Sequence, residues 1–295
     1  MRLEDDGDRS NVEDRRGSEP GFGGARLGGR GVRLGLGGTV VVLALSLLLG
    51  RDLFSDLGAA PAGAPVAVPG PATSPAQAEG RAAAEKQLER TAVASFNDTQ
   101  RTWASALSRR PDGYRDAKLV LFWDETRSGC GEAGAEMGPF YCPVDERVYI
   151  DLGFYRELAS RFGAPGEFAQ AYVIAHEVGH HLQKVIGIEP KVREAQRRRP
   201  SERNALSVRM ELQADCLAGV WARSAQSRQL LDPGDIEAGL GAAAAVGDDR
   251  LQRAATGRVS PESFTHGSSA QRSHWFRRGL DTGRLDACDT FSGSP

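Results

Sequence analysis

Residues 166–186 read GEFAQAYVIAHEVGHHLQKVI, and the rest of the chain is best understood outward from them. Phe168, Ala171, Tyr172, Ala175, Gly179 and Leu182 recur at helical spacing and predict one buried stripe. At the edge of that stripe stands His176-Glu177-Val178-Gly179-His180. Residues four apart share a helix face, so the two imidazoles can grip one metal ion. Glu177 lies about 100° round the helix from His176. That puts its carboxylate beside the ion, where it reaches a bound water instead of becoming a ligand. Gly179 costs a helix about 1 kcal/mol relative to Ala, and close approach of another element is a reason to keep it.

Two histidines and a water leave zinc short of one protein ligand. The next helical pattern, 202–229, supplies Glu211-Leu212-Gln213-Ala214-Asp215, with Glu211 and Asp215 again four apart on one face. Glu211 is assigned as the third ligand. Asp215 is assigned as the acceptor that orients a ligand histidine through its other ring nitrogen; the swapped assignment stays open. The remaining histidines, His266 and His274, fall in FTHGSSAQRSHWF, residues 264–276. Attack of water on a carbonyl needs a donor for the developing oxyanion. His266, at a predicted helix start, is the first candidate, with Arg272 and Tyr149 behind it.

Elsewhere the pattern is α+β and mostly helical. Residues 81–109 predict a helix with Leu88, Val93, Phe96, Trp103 and Leu107 on its apolar stripe, stopped by Pro111-Asp112-Gly113. Residues 118–123 and 148–152 predict two strands of a small sheet, separated by a Gly-rich loop between Cys130 and Cys142. Helices are expected over 154–162, 166–186, 202–229, 233–246 and 268–280. The strand 148–152 is expected to offer an edge to which an extended peptide adds.

The N-terminal third concerns location. Residues 1–33 carry seven Arg against seven Asp and Glu, with little to bury, and predict a disordered cytoplasmic leader. Residues 34–50, LGLGGTVVVLALSLLLG, hold no charge and predict a transmembrane anchor spanning about 26 Å as a helix. Arg26, Arg30 and Arg33 precede the run and Arg51 alone follows closely, which keeps the N-terminus in the cytoplasm and sends the rest across. A cleaved signal peptide is the rival reading, against which a leader of this length argues. Residues 51–80, rich in Ala, Pro and Gly, predict a linker to a domain at 81–295.

The 295 residues contain four cysteines without a CxxC pair, so a Cys-ligated structural zinc is not expected. Three pairings are possible. Cys130 and Cys142 bracket one loop and are expected to pair, leaving Cys216 with Cys288, in keeping with export to an oxidising compartment. With 37 basic and 39 acidic residues there is no basic footprint, and nucleic acid is not an expected partner.

GPFYCPVDERVYIDL, HEVGHHLQ, ELQADCLAGVWA and FTHGSSAQRSHWF, occurring in that order, resemble the YpfJ-like neutral zinc metallopeptidases of bacteria over roughly residues 90–290. The resemblance implies a zincin-like metallopeptidase domain of gluzincin type behind one N-terminal membrane span, with one Zn2+ at His176 and His180 and with Glu177 catalytic. The E-x-x-A-D block at Glu211–Asp215 also resembles that of the CAAX-type membrane proteases, where the glutamate binds metal. The expected function is hydrolysis of peptide or protein substrates by an extracytoplasmic, membrane-anchored enzyme. Two other readings remain in view: a zinc-stabilised binding or assembly module, and a zinc hydrolase of a non-peptide bond such as a cell-wall amide.

Overall fold

A computed structural model of the chain describes residues 1–3, 6–17, 75–134 and 137–293. The strands are β1 (Val12–Asp14), β2 (Lys118–Phe122), β3 (Glu125–Ser128), β4 (Gly131–Gly134), β5 (Phe140–Cys142) and β6 (Arg147–Asp151). The helices are α1 (Pro75–Ala106), α2 (Leu152–Ser160), α3 (Glu167–Val185), α4 (Ile188–Arg198), α5 (Arg203–Ser227), α6 (Asp235–Ala245), α7 (Asp248–Thr256) and α8 (Ser269–Thr282). The fold is mostly helical with a small sheet, as the pattern implied. The predicted span 34–50, its flanking arginines and most of the linker 51–80 lie outside the described residues. Among the described residues no helix is long and apolar enough to cross a membrane.

The main sheet has the order β1-β2-β6-β5. β1, β2 and β6 run parallel, with Leu119 opposite Val12 on one side and Val148 on the other. β5 pairs antiparallel with β6, placing Tyr141 opposite Val148. Period-two alternation sends Leu119, Leu121, Val148 and Ile150 into the main core under the helices. Val120, Phe122 and Tyr149 face the other side, in a smaller cluster with Cys142 and Phe140. The sheet feeds the helices directly: Asp151 ends β6 and caps α2, its carboxylate accepting from the Gly153 N–H at 2.8 Å.

Two close helix crossings set the positions of the functional side chains. A Cβ on Gly179 of α3 would lie 3.2 Å from the Ala214 carbonyl oxygen of α5, so the close approach expected at this glycine is real. Farther along α5, a Cβ on Gly219 would lie 2.0 Å from the Phe276 oxygen, and one on Gly279 of α8 would lie 1.9 Å from the Cys216 oxygen. Backbone therefore packs on backbone where α5 crosses α8. Both expected disulfides are formed, Cys130–Cys142 and Cys216–Cys288, the second tying α5 to the C-terminal turn.

Three expectations need correction. The strand at 148–152 offers no edge, because β6 is hydrogen-bonded on both sides; within this sheet the terminal strand beside α3 is β5. The Gly-rich loop from Cys130 to Cys142 contains two short strands, β4, which pairs back on β3 just before the loop, and β5. The leader is ordered where it is described: residues 1–3 and 6–17 pack on the domain and β1 extends its sheet. A segment this polar has little apolar surface to signal burial, and it is held instead by main-chain pairing and ion pairs.

Candidate metal centre

α3 presents His176 and His180 from successive turns, and α5 crosses behind them to present Glu211. Nε2 of His176 lies 3.1 Å from one Glu211 carboxylate oxygen, and Nε2 of His180 lies 3.4 Å from the other. One ligand atom from each of the three residues lies within 4.8 Å of the other two. A tetrahedral zinc with bonds of about 2.0–2.1 Å holds neighbouring ligand atoms roughly 3.3–3.4 Å apart. The donor set, two imidazole nitrogens and a carboxylate oxygen, fits that ion in kind and in spacing.

The far nitrogen of each imidazole is already committed, which settles which atom faces the centre. Nδ1 of His176 meets Asp215 at 2.9 Å. Asp215 is fully buried, accepts from the Tyr172 hydroxyl, and takes two bonds from Arg272, at 2.8 and 2.9 Å. Nδ1 of His180 meets the Gln183 carbonyl oxygen at 2.9 Å. The Gln183 amide nitrogen donates to the Met210 carbonyl and to Gln213, and Gln213 donates to the Cys288 carbonyl at 2.8 Å. Both Nδ1 atoms are therefore donors to these partners, and both Nε2 atoms face the Glu211 side. The position of Asp215 at the Nδ1 end separates its role from that of Glu211. His181, the third histidine of the run, is spent elsewhere: its Nε2 donates to the Arg115 carbonyl and its Nδ1 accepts from Tyr141.

Electrostatics agree with the geometry. Burial works against charge on His176, yet the charge and hydrogen bond of Asp215, with the bond to Glu211, raise its pKa to about 10. Burial likewise opposes ionisation of Glu211, but the His180 charge and the bonds to both histidines hold it well below the usual carboxylate range. The pocket thus keeps Glu211 ionised beside the two imidazoles. Glu177 sits one residue from His176, nearly buried, and its charge reaches His180 and the buried Tyr155.

His266 is half exposed and held by Asp248, which its ring meets at 3.2 Å. The same carboxylate accepts backbone N–H bonds from Thr265, His266 and Gly267 at 2.7, 2.7 and 3.0 Å. The bond to Asp248 raises the His266 pKa, burial lowers it, and the Glu211 charge raises it further.

The family model described as "Putative neutral zinc metallopeptidase" matches residues 1–291. The chain belongs to this family. Among its relatives in the family are "Uncharacterized protein YpfJ" of Escherichia coli (strain K12), 46% identical over the full length of both chains. Another is "Uncharacterized protein Mb2605" of Mycobacterium bovis, 43% identical over 213 residues, which are 68% of this chain and 70% of that protein. No solved structure matches. Zinc is the ion that membership of this zinc metallopeptidase family implies, and the His-His-Glu group is a possible site for it.

Two candidates from the sequence lie elsewhere in this zinc-peptidase fold. Arg272 is buried and spent on Asp215, Tyr172 and the Val246 carbonyl, so it braces the centre from behind and offers nothing to an oxyanion. Tyr149 lies on the opposite face of the sheet, its hydroxyl donating to Asp145 at 2.7 Å. Two residues the sequence reading missed are Gln183 and Asp248. Gln183 stands three residues after His180, where a polar side chain reads as a solvated face. Asp248 has no signal except as the first residue of a polar helix.

Proposed function

We propose that this protein is a zinc-dependent peptidase in which His176, His180 and Glu211 hold the ion. The observation that carries the reading is the convergence of two committed imidazoles and one ionised carboxylate, with Glu177 beside them. When bound, zinc supplies a Lewis acid and lowers the pKa of water. Glu177 takes the proton from the attacking water and passes it to the leaving amine. His266, aimed by Asp248, donates a hydrogen bond to the carbonyl oxygen as it gains charge. The outer edge of β5 is where an extended peptide adds by main-chain pairing. A purely structural zinc takes a fourth protein ligand; Asp215 and His266 are held by other partners, which favours a catalytic centre. Two disulfides and the apolar run 34–50 support action outside the cytoplasm on a membrane-attached chain.

The test is zinc content and cleavage of a mixed peptide library, for the wild type and for Glu177→Gln. One zinc per chain in both, with chelator-sensitive cleavage reduced by about 100-fold or more in the variant, is the expected result. Equal cleavage by the variant would falsify the assignment of Glu177. Tight zinc with no cleavage by the wild type points to a binding module or a non-peptide substrate.

A further inference from the structure

β1 is built into the domain by main-chain and side-chain bonds alike. Leu119 donates its N–H to the Asn11 carbonyl at 2.8 Å, and Arg15 donates to the Leu121 carbonyl at 2.8 Å. The Arg15 guanidinium also reaches the Arg127 carbonyl at 2.7 Å, binding β1 to the β3–β4 hairpin. Arg16 pairs with Glu89 of α1 at 2.7 Å, and the Asn97 amide donates to the Asp8 carbonyl at 3.0 Å.

The leader also completes the core. Residues 91–100 of α1 are buried without a break, polar ones included, so this stretch has no solvent face. Met1, Leu3 and Val12 pack against the main core cluster that includes Ala92, Val93 and Phe96. A helix buried all round needs neighbours on every side, and on one side of α1 the neighbour is the leader.

These contacts conflict with a single crossing by residues 34–50. One crossing puts residues 1–17 and the domain on opposite faces of a hydrocarbon layer about 30 Å thick, and no strand pairs across that distance. Two crossings need a second apolar run of about 20 residues. The stretch 51–78 holds Arg51, Asp52 and Asp56, then prolines at 61, 65, 69, 71 and 75, and offers no such run.

We infer that residues 1–17 lie on the same side of the membrane as residues 75–293, on the oxidising side where the two disulfides form, so that the apolar run does not part leader from domain. The reading is independent of any hydrolytic activity. It is tested on the full chain in bacterial spheroplasts with two single substitutions at exposed positions, Ser10→Cys in the leader and Ser108→Cys in the domain. The four natural cysteines are paired, so a membrane-impermeant maleimide reports the added thiol. The purified chains in detergent fix full labelling for each.

The expected result is labelling of both positions in intact spheroplasts, in a ratio near one, with no rise on lysis. Labelling of Ser108→Cys in intact spheroplasts and of Ser10→Cys only after lysis overturns the inference. So does a mature chain whose mass shows that the leader has been removed. Labelling of both only after lysis overturns the assignment to the oxidising side.

Discussion

Asp248 gathers three backbone N–H groups and one imidazole on a single carboxylate, and so fixes both the turn before α8 and the ring that the turn carries. Burial by itself raises its pKa, but the bond to His266 and the backbone donors outweigh this and hold it below the usual value. A depressed carboxylate contributes stability that is present above its unfolded pKa and is lost as pH falls through its folded pKa. Asp248→Asn should therefore cost about 1–3 kcal/mol at neutral pH, with the two proteins converging as pH drops below the ordinary aspartate range. Urea unfolding at neutral and acidic pH checks this; a gap that stays constant to low pH would contradict it. His176 and His180 were legible from the sequence because a four-residue spacing within one helix fixes their common face, and Glu177 because it stands next to the first of them. Glu211 and Asp215 were legible as a pair but not individually, since both satisfy that same spacing. What tells them apart is Arg272, a charge delivered from another helix 57 residues away.

At the scale of elements, the crossing of α5 and α8 depends on two missing side chains. Gly279→Ala places a methyl group against the Cys216 carbonyl and must separate the helices that carry Glu211, Asp215 and Arg272. A loss of about 1–3 kcal/mol is expected, or roughly 2–4 °C in Tm for each kcal/mol. Gly241→Ala, on an exposed position of α6 where nothing lies within 4 Å, should act in the opposite sense and gain about 0.5–1 kcal/mol. Calorimetry of the two variants side by side reads the sign directly. The strongly patterned helices α1, α3, α5 and α8 were visible in the sequence to within a few residues, apart from an earlier start for α1. α4 and α7 were not, because they bury only Glu189 and Val192 in one case and Asp248 in the other, leaving no apolar period to find. β1 was missed for a related reason: its pairing is carried by the backbone, which composition does not reveal.

For the molecule as a whole, the disulfides act on loops of very different size, with sequence separations of 12 and 72. On the chain-entropy account they stabilise by about 3 and 4.5 kcal/mol. Replacing Cys216 and Cys288 by Ser should therefore lower stability more than replacing Cys130 and Cys142. It should also weaken zinc binding, because the Cys288 carbonyl anchors Gln213, which anchors Gln183, which orients His180. Denaturant melts and zinc titration of the two double variants separate these effects. The same line of bonds governs timing. On the ribosome His176 and His180 emerge about a hundred residues ahead of Arg272 and Cys288, a delay of some 5–20 seconds at ordinary rates of synthesis. Through that interval the growing chain has its histidines but not the braces that aim them. The centre is completed only about a hundred residues after its histidines are made, so a half-built copy would be poorly equipped for the proposed hydrolysis.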